Sequence, residues 1–170
     1  KKLVLILLKG KRMITVSDKY KKSYENGNRN FRVNSTLTLS DGTVLPITNS
    51  CLWSGGFVID DSVSEDSVFQ IGSAIINQCT IILNNIYDDY TDYDFYGATL
   101  KTFVGLQFDD GTVEYMRKGV FIVVEPQYNG SLITLTCYDN MFLFDHTLDI
   151  DVDFPVSAKE VVQKMCDKCG

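Results

Sequence analysis

The clearest pattern in the chain is an alternation of apolar runs and turn residues between positions 95 and 145. Three apolar runs cover residues 100–108, 113–124 and 132–137. They are separated by Asp109-Asp110-Gly111 and by Tyr128-Asn129-Gly130. Asp-Gly and Asn-Gly adopt positive φ at little cost, so neighbouring runs can fold back as antiparallel hairpins. The pattern predicts a three-stranded β-meander.

The two later runs of this meander differ in how their faces are expected to be covered. From Ile133 to Cys137 the odd-numbered residues are apolar and the even-numbered residues are threonines, which predicts one buried and one solvated face. Residues 119–124 are apolar on both faces, which favours a strand covered on each side by other protein. We expect this strand to end at Glu125-Pro126, because proline has no N–H for the ladder.

An earlier hairpin is predicted around Asp41. Residues 32–39 alternate, and Ser40-Asp41-Gly42 turns the chain into a second run at 43–47. The sequence LTLSDGTVLP around Asp41 matches LQFDDGTVEY around Asp110, at an offset of 110 − 41 = 69 residues. Two interpretations remain open: a duplicated half, or the same favourable hairpin chemistry used twice.

The remaining elements are shorter. Further strands are predicted at 57–61 and 79–83, and a short helix at 141–144. An N-terminal helix is expected to begin after Ser17-Asp18 and to stop at Asn26-Gly27-Asn28, and a C-terminal helix to begin at Ser157 with Glu160 completing a capping box. The single tryptophan, Trp53, is expected in the core rather than at an interface.

These elements predict a mainly β protein of the β-rich α+β kind, with one main domain over residues 13–153. Residues 1–12 differ in composition from the rest of the chain, and we interpret them as a read-through or expression-derived N-terminal extension, or alternatively as an added edge strand. Residues 154–170 contain one amphipathic helix, which we interpret as the first helix of a truncated second domain.

Composition narrows the functional classes. With 45% hydrophobic and 22% charged residues the chain is typical of a globular protein. The net charge of −6 provides no basic surface for sequence-specific nucleic-acid binding. No apolar run reaches the roughly 20 residues that span a bilayer, so membrane insertion is not expected. The five cysteines are scattered and odd in number, which favours reduced thiols in bacterial cytoplasm.

No catalytic, cofactor or metal motif is found, so we predict no enzyme activity and no cofactor. The sole histidine, His146, lies beside Asp145 without an identifiable activated serine and is expected to be structural or merely exposed. Cys166 and Cys169 form CDKC, a spacing that could belong to half of a zinc site or to a redox pair. The simpler interpretation is two thiols at the end of a helix that have neither role.

One segment is rich in both aspartate and tyrosine. Residues 87–96, YDDYTDYDFY, are named here the Asp–Tyr loop. Dense like charge favours a loop, and its oxygen ligands suit a hard cation such as calcium, but the spacing matches no EF-hand. We expect a solvated loop whose tyrosines pack back on the sheet or on a neighbouring subunit.

The order of several short motifs resembles the N-terminal part of baseplate-hub or tail-tip proteins from phages and prophages of Firmicutes. The resemblance runs from about Phe57 to Gly170. Its matching positions are Ile71-Gly72-Ser73, Gly97-Ala98, Gly119-Val120-Phe121, Glu125-Pro126 and Tyr138-Asp139. The resemblance implies a tail-tube-like antiparallel β-barrel or sandwich with one or two short helices and a C-terminal helix.

The same resemblance implies a virion structural protein that self-associates into a ring, expected to be a trimer in the full-length protein. This ring would surround a channel between the tail tube and the spike or tip proteins, with Asp109, Asp110 and Glu114 hypothesised to face passing DNA. Two alternatives stay open: a carbohydrate-binding β-sandwich that uses the Asp–Tyr loop for cell-surface attachment, and the N-terminal anchor of a tail-associated cell-wall hydrolase.

Overall fold

A computed structural model describes residues 15–26, 29–60, 76–144 and 155–169. The predictions about residues 1–12, Ile71-Gly72-Ser73 and His146 lie outside these residues. The strands are β1 (Asn30–Thr38), β2 (Val44–Thr48), β3 (Leu52–Asp60), β4 (Gln78–Asn84), β5 (Thr99–Gln107), β6 (Val113–Asn129) and β7 (Leu132–Asp139). The helices are α1 (Asp18–Glu25) and α2 (Ala158–Cys169), and a 3-10 helix covers Asn140–Phe144.

All seven strands belong to one antiparallel sheet in the order β2-β1-β5-β6-β7-β4-β3. The predicted meander β5-β6-β7 occupies its centre, and the predicted mainly β, antiparallel fold with short helices is confirmed. The order ends on β2 and β3, so in the described part of the chain the sheet is not closed into a barrel by strand pairing. This is an open, sandwich-like arrangement, the second of the two forms that the resemblance implied.

The core lies on one face of this sheet. Inward-facing residues are aligned across strands, as in the pairs Leu37–Leu100 and Ile81–Leu135, and all four are fully buried. Ile47 on β2 packs in the same cluster as Phe57 on β3, although β2 and β3 are at opposite ends of the strand order. The sheet must therefore curl around its core.

The sequence echo corresponds to two turns with the same hydrogen bonds. Leu39 N donates to Thr43 O and Phe108 N donates to Thr112 O, each at 2.8 Å. Asp41 and Asp110 each accept a bond from the backbone N–H two residues later. Gly42 and Gly111 have φ of +87° and +83°, which suits glycine. Shared turn chemistry therefore accounts for the echo locally.

The prediction that the middle strand ends at Glu125-Pro126 is wrong, because β6 continues to Asn129. Pairing with β5 stops at Ile122, and on that side Val123 still bonds to the backbone of Gly97 and Ala98. Pro126 is paired only with β7, and a strand with one unpaired side tolerates a proline that cannot donate a ladder bond. A register shift between Val123 and Glu125 also interrupts the pairing with β7 just before this proline.

The outer face of β6 is only partly covered. Val120, Ile122 and Val124 are half-buried, whereas Phe121 and Val123 on the inner face are buried. Near Ile122, the Tyr138 ring of β7 stacks on Phe142 of the 3-10 helix with ring centroids 5.3 Å apart. The 3-10 helix therefore covers part of this face, and α2 lies beside it.

Truncating an inward residue should destabilise the protein far more than truncating its outward neighbour. Leu135→Ala is expected to lower the free energy of unfolding by about 2–5 kcal/mol, because it leaves a cavity in the core. Thr134→Ala, on the opposite face of the same strand, should cost less than about 1 kcal/mol. Denaturant unfolding followed by circular dichroism measures both, and equal losses would contradict the one-sided core.

Candidate docking surface

Helix α1 begins where its sequence supplies a cap. The Ser17 side chain accepts a hydrogen bond from Tyr20 N at 3.0 Å, as expected for a serine N-cap. Tyr20 is buried in a small cluster with Leu106 and Phe108, at the end of the core-bearing face. Tyr20 also stacks on Tyr24, with ring centroids 6.3 Å apart. The aromatic side of α1 therefore lies on the sheet.

Two carboxylates of the β5–β6 hairpin hold α1 in place. The Lys19 ammonium forms an ion pair with Asp110, and Ser17 donates to Glu114 through both its backbone N–H and its hydroxyl. The hydrogen bond from Lys19, followed by those from Thr112, lowers the pKa of Asp110 to about 2. The hydrogen bonds from Ser17 lower the pKa of Glu114. Of the three carboxylates expected to face a channel, these two therefore bind α1.

Next to α1 the core-bearing face is open. Two adjoining cavities of about 480 and 510 Å³ share Phe31, Val104 and Lys118 in their linings. One wall is formed by Tyr20 and Tyr24 of α1, and the other by residues 52–57 at the start of β3. These two cavities are named here the aromatic groove. The groove continues the sheet face that carries the core, because Val104 is paired with the inward-facing Val33.

Two β-bulges turn side chains towards the groove. Between the pairs Leu52–Leu83 and Phe57–Ile81, four β3 residues oppose the single residue Ile82. Gly56 in this bulge packs so closely that a Cβ there would lie 2.8 Å from the Ile82 carbonyl oxygen. On the facing strand, Lys118 is the extra residue between Arg117 and Gly119 in the pairing of β6 with β5. Such bulges commonly re-aim side chains at functional sites.

The prediction that Trp53 lies in the core is wrong. Its side chain is 45% exposed, close to the 44% of Phe31 and the 46% of Tyr24 in the same groove. Because Trp53 lies in the bulge, it does not follow the alternation of inward-facing and outward-facing residues along β3. The available signal was Gly55-Gly56, since a glycine pair inside a strand marks a bulge or a close backbone approach. Three half-exposed aromatic rings together are typical of an interaction surface.

The charges near the groove are mostly positive. Lys118 lines both cavities, and Lys21 and Glu25 line the one beside α1, where the Lys21 ammonium is paired with Asp18 at 3.0 Å. The Arg29 guanidinium lies over the Tyr24 ring, 4.1 Å from its centroid. On a chain with a net charge of −6, this is a local basic and aromatic patch. Its preferred partner would carry carboxylates and rings.

The Asp–Tyr loop combines anchored and exposed aromatic residues. Phe95 is fully buried, and Tyr90 and Tyr93 pack against the core, which confirms that loop tyrosines pack back on the sheet. The Asn85 side chain accepts a hydrogen bond from Tyr90 N at 2.9 Å and holds the start of the loop. The rings at either end point outward: Tyr87 is 83% exposed and Tyr96 is 65% exposed.

The four aspartates of this loop, at positions 88, 89, 92 and 94, are also exposed. No group of three or more histidine, cysteine, aspartate or glutamate side chains that could hold a metal ion is found among the described residues. The loop instead presents carboxylates between two exposed tyrosine rings. It is chemically complementary to the aromatic groove.

A thiol fastens the loop to the connection between β2 and β3. Burial raises the pKa of Cys51, but hydrogen bonds with Tyr90, Thr48 and Ser50 outweigh this effect and leave the pKa below its ordinary value. Burial and the same thiol raise the pKa of the Tyr90 hydroxyl. The Cys51 carbonyl also accepts a bond from Asn84 N at 2.9 Å. The loop is thus tied to the sheet at the start of β3.

The remaining predictions concern the CDKC cysteines, membrane insertion and enzyme activity. Cys166 is exposed on α2, and the Cys169 side chain falls outside the described part of the chain, so the prediction about the CDKC pair stays untested. Among the described helices, none has both the length and the apolar character needed to cross a bilayer. The absence of enzyme activity remains a prediction.

Comparison with known proteins finds a likeness of fold to a solved structure. No protein-family model and no curated protein sequence matches the chain. A chain from the solved structure of the virion of a native gene transfer agent (GTA) particle has a similar fold, with a TM-score of 0.53 and 11% sequence identity. The likeness covers 79% of this chain and 49% of that one, so this chain spans about half the length of its structural neighbour.

Lowering the pH should release α1 before the core unfolds. Because folding lowers the pKa of Asp110 to about 2, its ion pair stabilises docking above the ordinary carboxyl pKa near 4 and is lost as the pH falls through about 2. Hydrogen exchange in α1 should therefore rise between pH 4 and pH 2, and Asp110→Asn should produce the increase already at pH 7. Asp109→Asn at the adjacent turn position is the matched control, and equal exchange in both variants would contradict this role of Asp110.

Proposed function

We propose that this protein is a structural component of a phage-type particle, located at the tail hub or tail tip. The observation that carries the proposal is the fold likeness to a chain of a gene transfer agent virion. The ordered motifs that resemble tail-hub proteins support the same location. In this role the protein acts by docking to other virion proteins rather than by chemistry at a pocket.

In the proposed arrangement, copies of the chain form a ring around a central channel that joins the tail tube to the spike. Ring closure requires two different patches on each copy, since a contact between unlike patches repeats around a rotation axis. The aromatic groove and the Asp–Tyr loop meet this requirement. Helix α1 packs on Leu106 near the end of β5, whereas the loop runs directly into Thr99 at its beginning. The nine residues of β5, roughly 30 Å, separate the α1 end of the groove from the start of the loop, whereas the β3 wall of the groove adjoins the contact of Cys51 with Tyr90 that holds the loop.

The chemistry of the two patches supports this contact. The groove offers Lys118, which lines both cavities together with the half-exposed ring of Phe31. The loop offers four aspartates between the exposed rings of Tyr87 and Tyr96. Opposite charges steer two surfaces together and fix their register, while buried aromatic rings supply most of the affinity. A loop from one copy therefore suits the groove of its neighbour.

One other function has a specific observation in its favour. Exposed Tyr87 and Tyr96, with aspartates between them, also resemble the aromatic and carboxylate platform of a carbohydrate-binding module. In that case the loop would bind cell-surface glycans and the protein would need no ring. Glycan binding by the isolated chain, abolished by Tyr87→Ala, would favour this alternative.

Reversing the charge of Lys118 should reduce incorporation into particles. In cells that produce the particles, we expect the wild type in the purified particle fraction and Lys118→Glu at least tenfold depleted from it, because the variant places a carboxylate opposite the aspartates of the neighbouring loop. Lys101→Glu on the opposite face of the sheet is the control and should incorporate normally. Asp89→Lys combined with Lys118→Glu should recover part of the loss.

Quantitative mass spectrometry of the particle and soluble fractions measures these ratios. Absence of the wild-type chain from particles would contradict the proposed function. Equal incorporation of Lys118→Glu and Lys101→Glu would contradict the groove contact alone.

A further inference from the structure

Two cysteines face each other across neighbouring strands in the core. Cys79 on β4 is the register partner of Cys137 on β7, and both side chains are fully buried. Their neighbours in the same inward-facing row are Ile59 on β3 and Val123 on β6. The Cys137 thiol donates weakly to the Leu135 carbonyl oxygen at 3.7 Å. The two thiols therefore lie side by side in an apolar layer.

The register itself satisfies the geometry of a disulfide. Directly opposed residues of an antiparallel pair have Cα atoms roughly 4.5–5.5 Å apart, with side chains on the same face. A disulfide needs Cα atoms roughly 4.4–6.8 Å apart. The register therefore places the two Cα atoms within the range that a disulfide requires. By contrast, Cys51 and Cys166 lie on other elements, the connection before β3 and α2.

We propose that Cys79 and Cys137 form an oxidisable dithiol that closes a cross-strand disulfide when the protein meets a peroxide. In the first step the thiolate of one cysteine attacks the peroxide, the O–O bond breaks, and a sulfenic acid and one water are formed. In the second step the other thiol attacks the sulfenic sulfur, the S–O bond breaks, and a second water leaves. Two thiols are thus oxidised by two electrons while one peroxide is reduced to two waters.

The burial of the pair makes this reaction slow in the folded protein. Burial, together with the neighbouring Cys79, raises the pKa of Cys137, so little thiolate is present at neutral pH. Oxidation must therefore proceed through local opening of the sheet. In a reducing cytoplasm the thiols stay reduced, and the bond forms after exposure to an oxidising medium. That such exposure follows particle release rests on the proposed function, whereas the chemistry of the pair does not.

The bond would secure one of the two long-range pairings of the sheet. In the strand order, β3 and β4 join the rest of the sheet through the β4–β7 pairing. Strands β4 and β7 are far apart in sequence, and the two cysteines are offset by 137 − 79 = 58 residues. Closing a loop of this length removes much conformational freedom from the unfolded chain. The disulfide would therefore stabilise the attachment of the β3–β4 unit to the meander.

Peroxide treatment of the purified full chain tests the inference, with and without mild urea to promote opening. Non-reducing peptide mass spectrometry should find a peptide pair linked through Cys79 and Cys137, lighter by two hydrogen atoms. The melting temperature should be about 10 °C higher than that of the reduced protein. Cys51→Ser combined with Cys166→Ser and Cys169→Ser keeps the pair and should behave in the same way, whereas Cys137→Ala should lose both effects.

Other products would overturn the inference. These are links that involve Cys51, Cys166 or Cys169 instead of the pair, or sulfinic acids on Cys79 and Cys137 without a link. A third is that both thiols stay reduced when peroxide in the presence of urea oxidises Cys51. A melting temperature that does not rise when the correct link is present would overturn the stabilising role. These outcomes are independent of whether the chain is found in particles, so failure of the dithiol and failure of the proposed function are distinguishable.

Discussion

The rest of the structure depends on the burial of one face of a single curled sheet. Inward residues form continuous rows across strands, such as Leu37, Leu100 and Phe121. Side chains alternate between faces, so a slip of one residue would move each row to solvent and bring polar residues inward. The rows therefore specify the register of every strand pair. They also place Cys79 beside Cys137, far from each other in sequence.

The proposed docking surface is an extension of this same face. Where the core ends, α1 covers Leu106 and Phe108, and its polar residues are held by Asp110 and Glu114. Between α1 and the start of β3 nothing in the described part of the chain covers Phe31 or Trp53 to the same degree. A core-like face left partly exposed is costly in water, since burial of apolar surface is the main stabilising term in folding. Contact with a partner would bury this apolar surface and so gain the stabilisation that its burial provides.

Much of the fold could be predicted because its signals are local. Turn chemistry at Gly42 and Gly111, the alternation of β7 and the serine cap of α1 each depend on a few neighbouring residues. The exposed position of Trp53 depends on how four residues of β3 fit against one of β4, which is a property of the pair. The persistence of β6 past Pro126 depends on where β5 stops.

The groove could not be predicted from the sequence, because it too depends on how separate elements meet. Its walls come from α1 and β3, and its floor from β1, β5 and β6, so no contiguous pattern contains it. The Asp–Tyr loop was recognisable from composition, but which tyrosines would be anchored was not. Tyr90 and Tyr93 pack inward, while Tyr87 and Tyr96 remain exposed. Two hydrogen bonds fix the path of the backbone: Tyr90 N donates to the Asn85 side chain, and the Tyr128 hydroxyl donates to the Tyr93 carbonyl.

The most direct test of a docking role compares hydrogen exchange of the purified chain with that of the same chain in assembled particles. If the chain docks through the groove and the loop, protection on assembly should be concentrated in α1, the start of β3 and the Asp–Tyr loop. The amides of β5 and β7, which are already protected by pairing on both sides, should change little. Identical exchange in the two states, or protection confined to other surfaces, would contradict it.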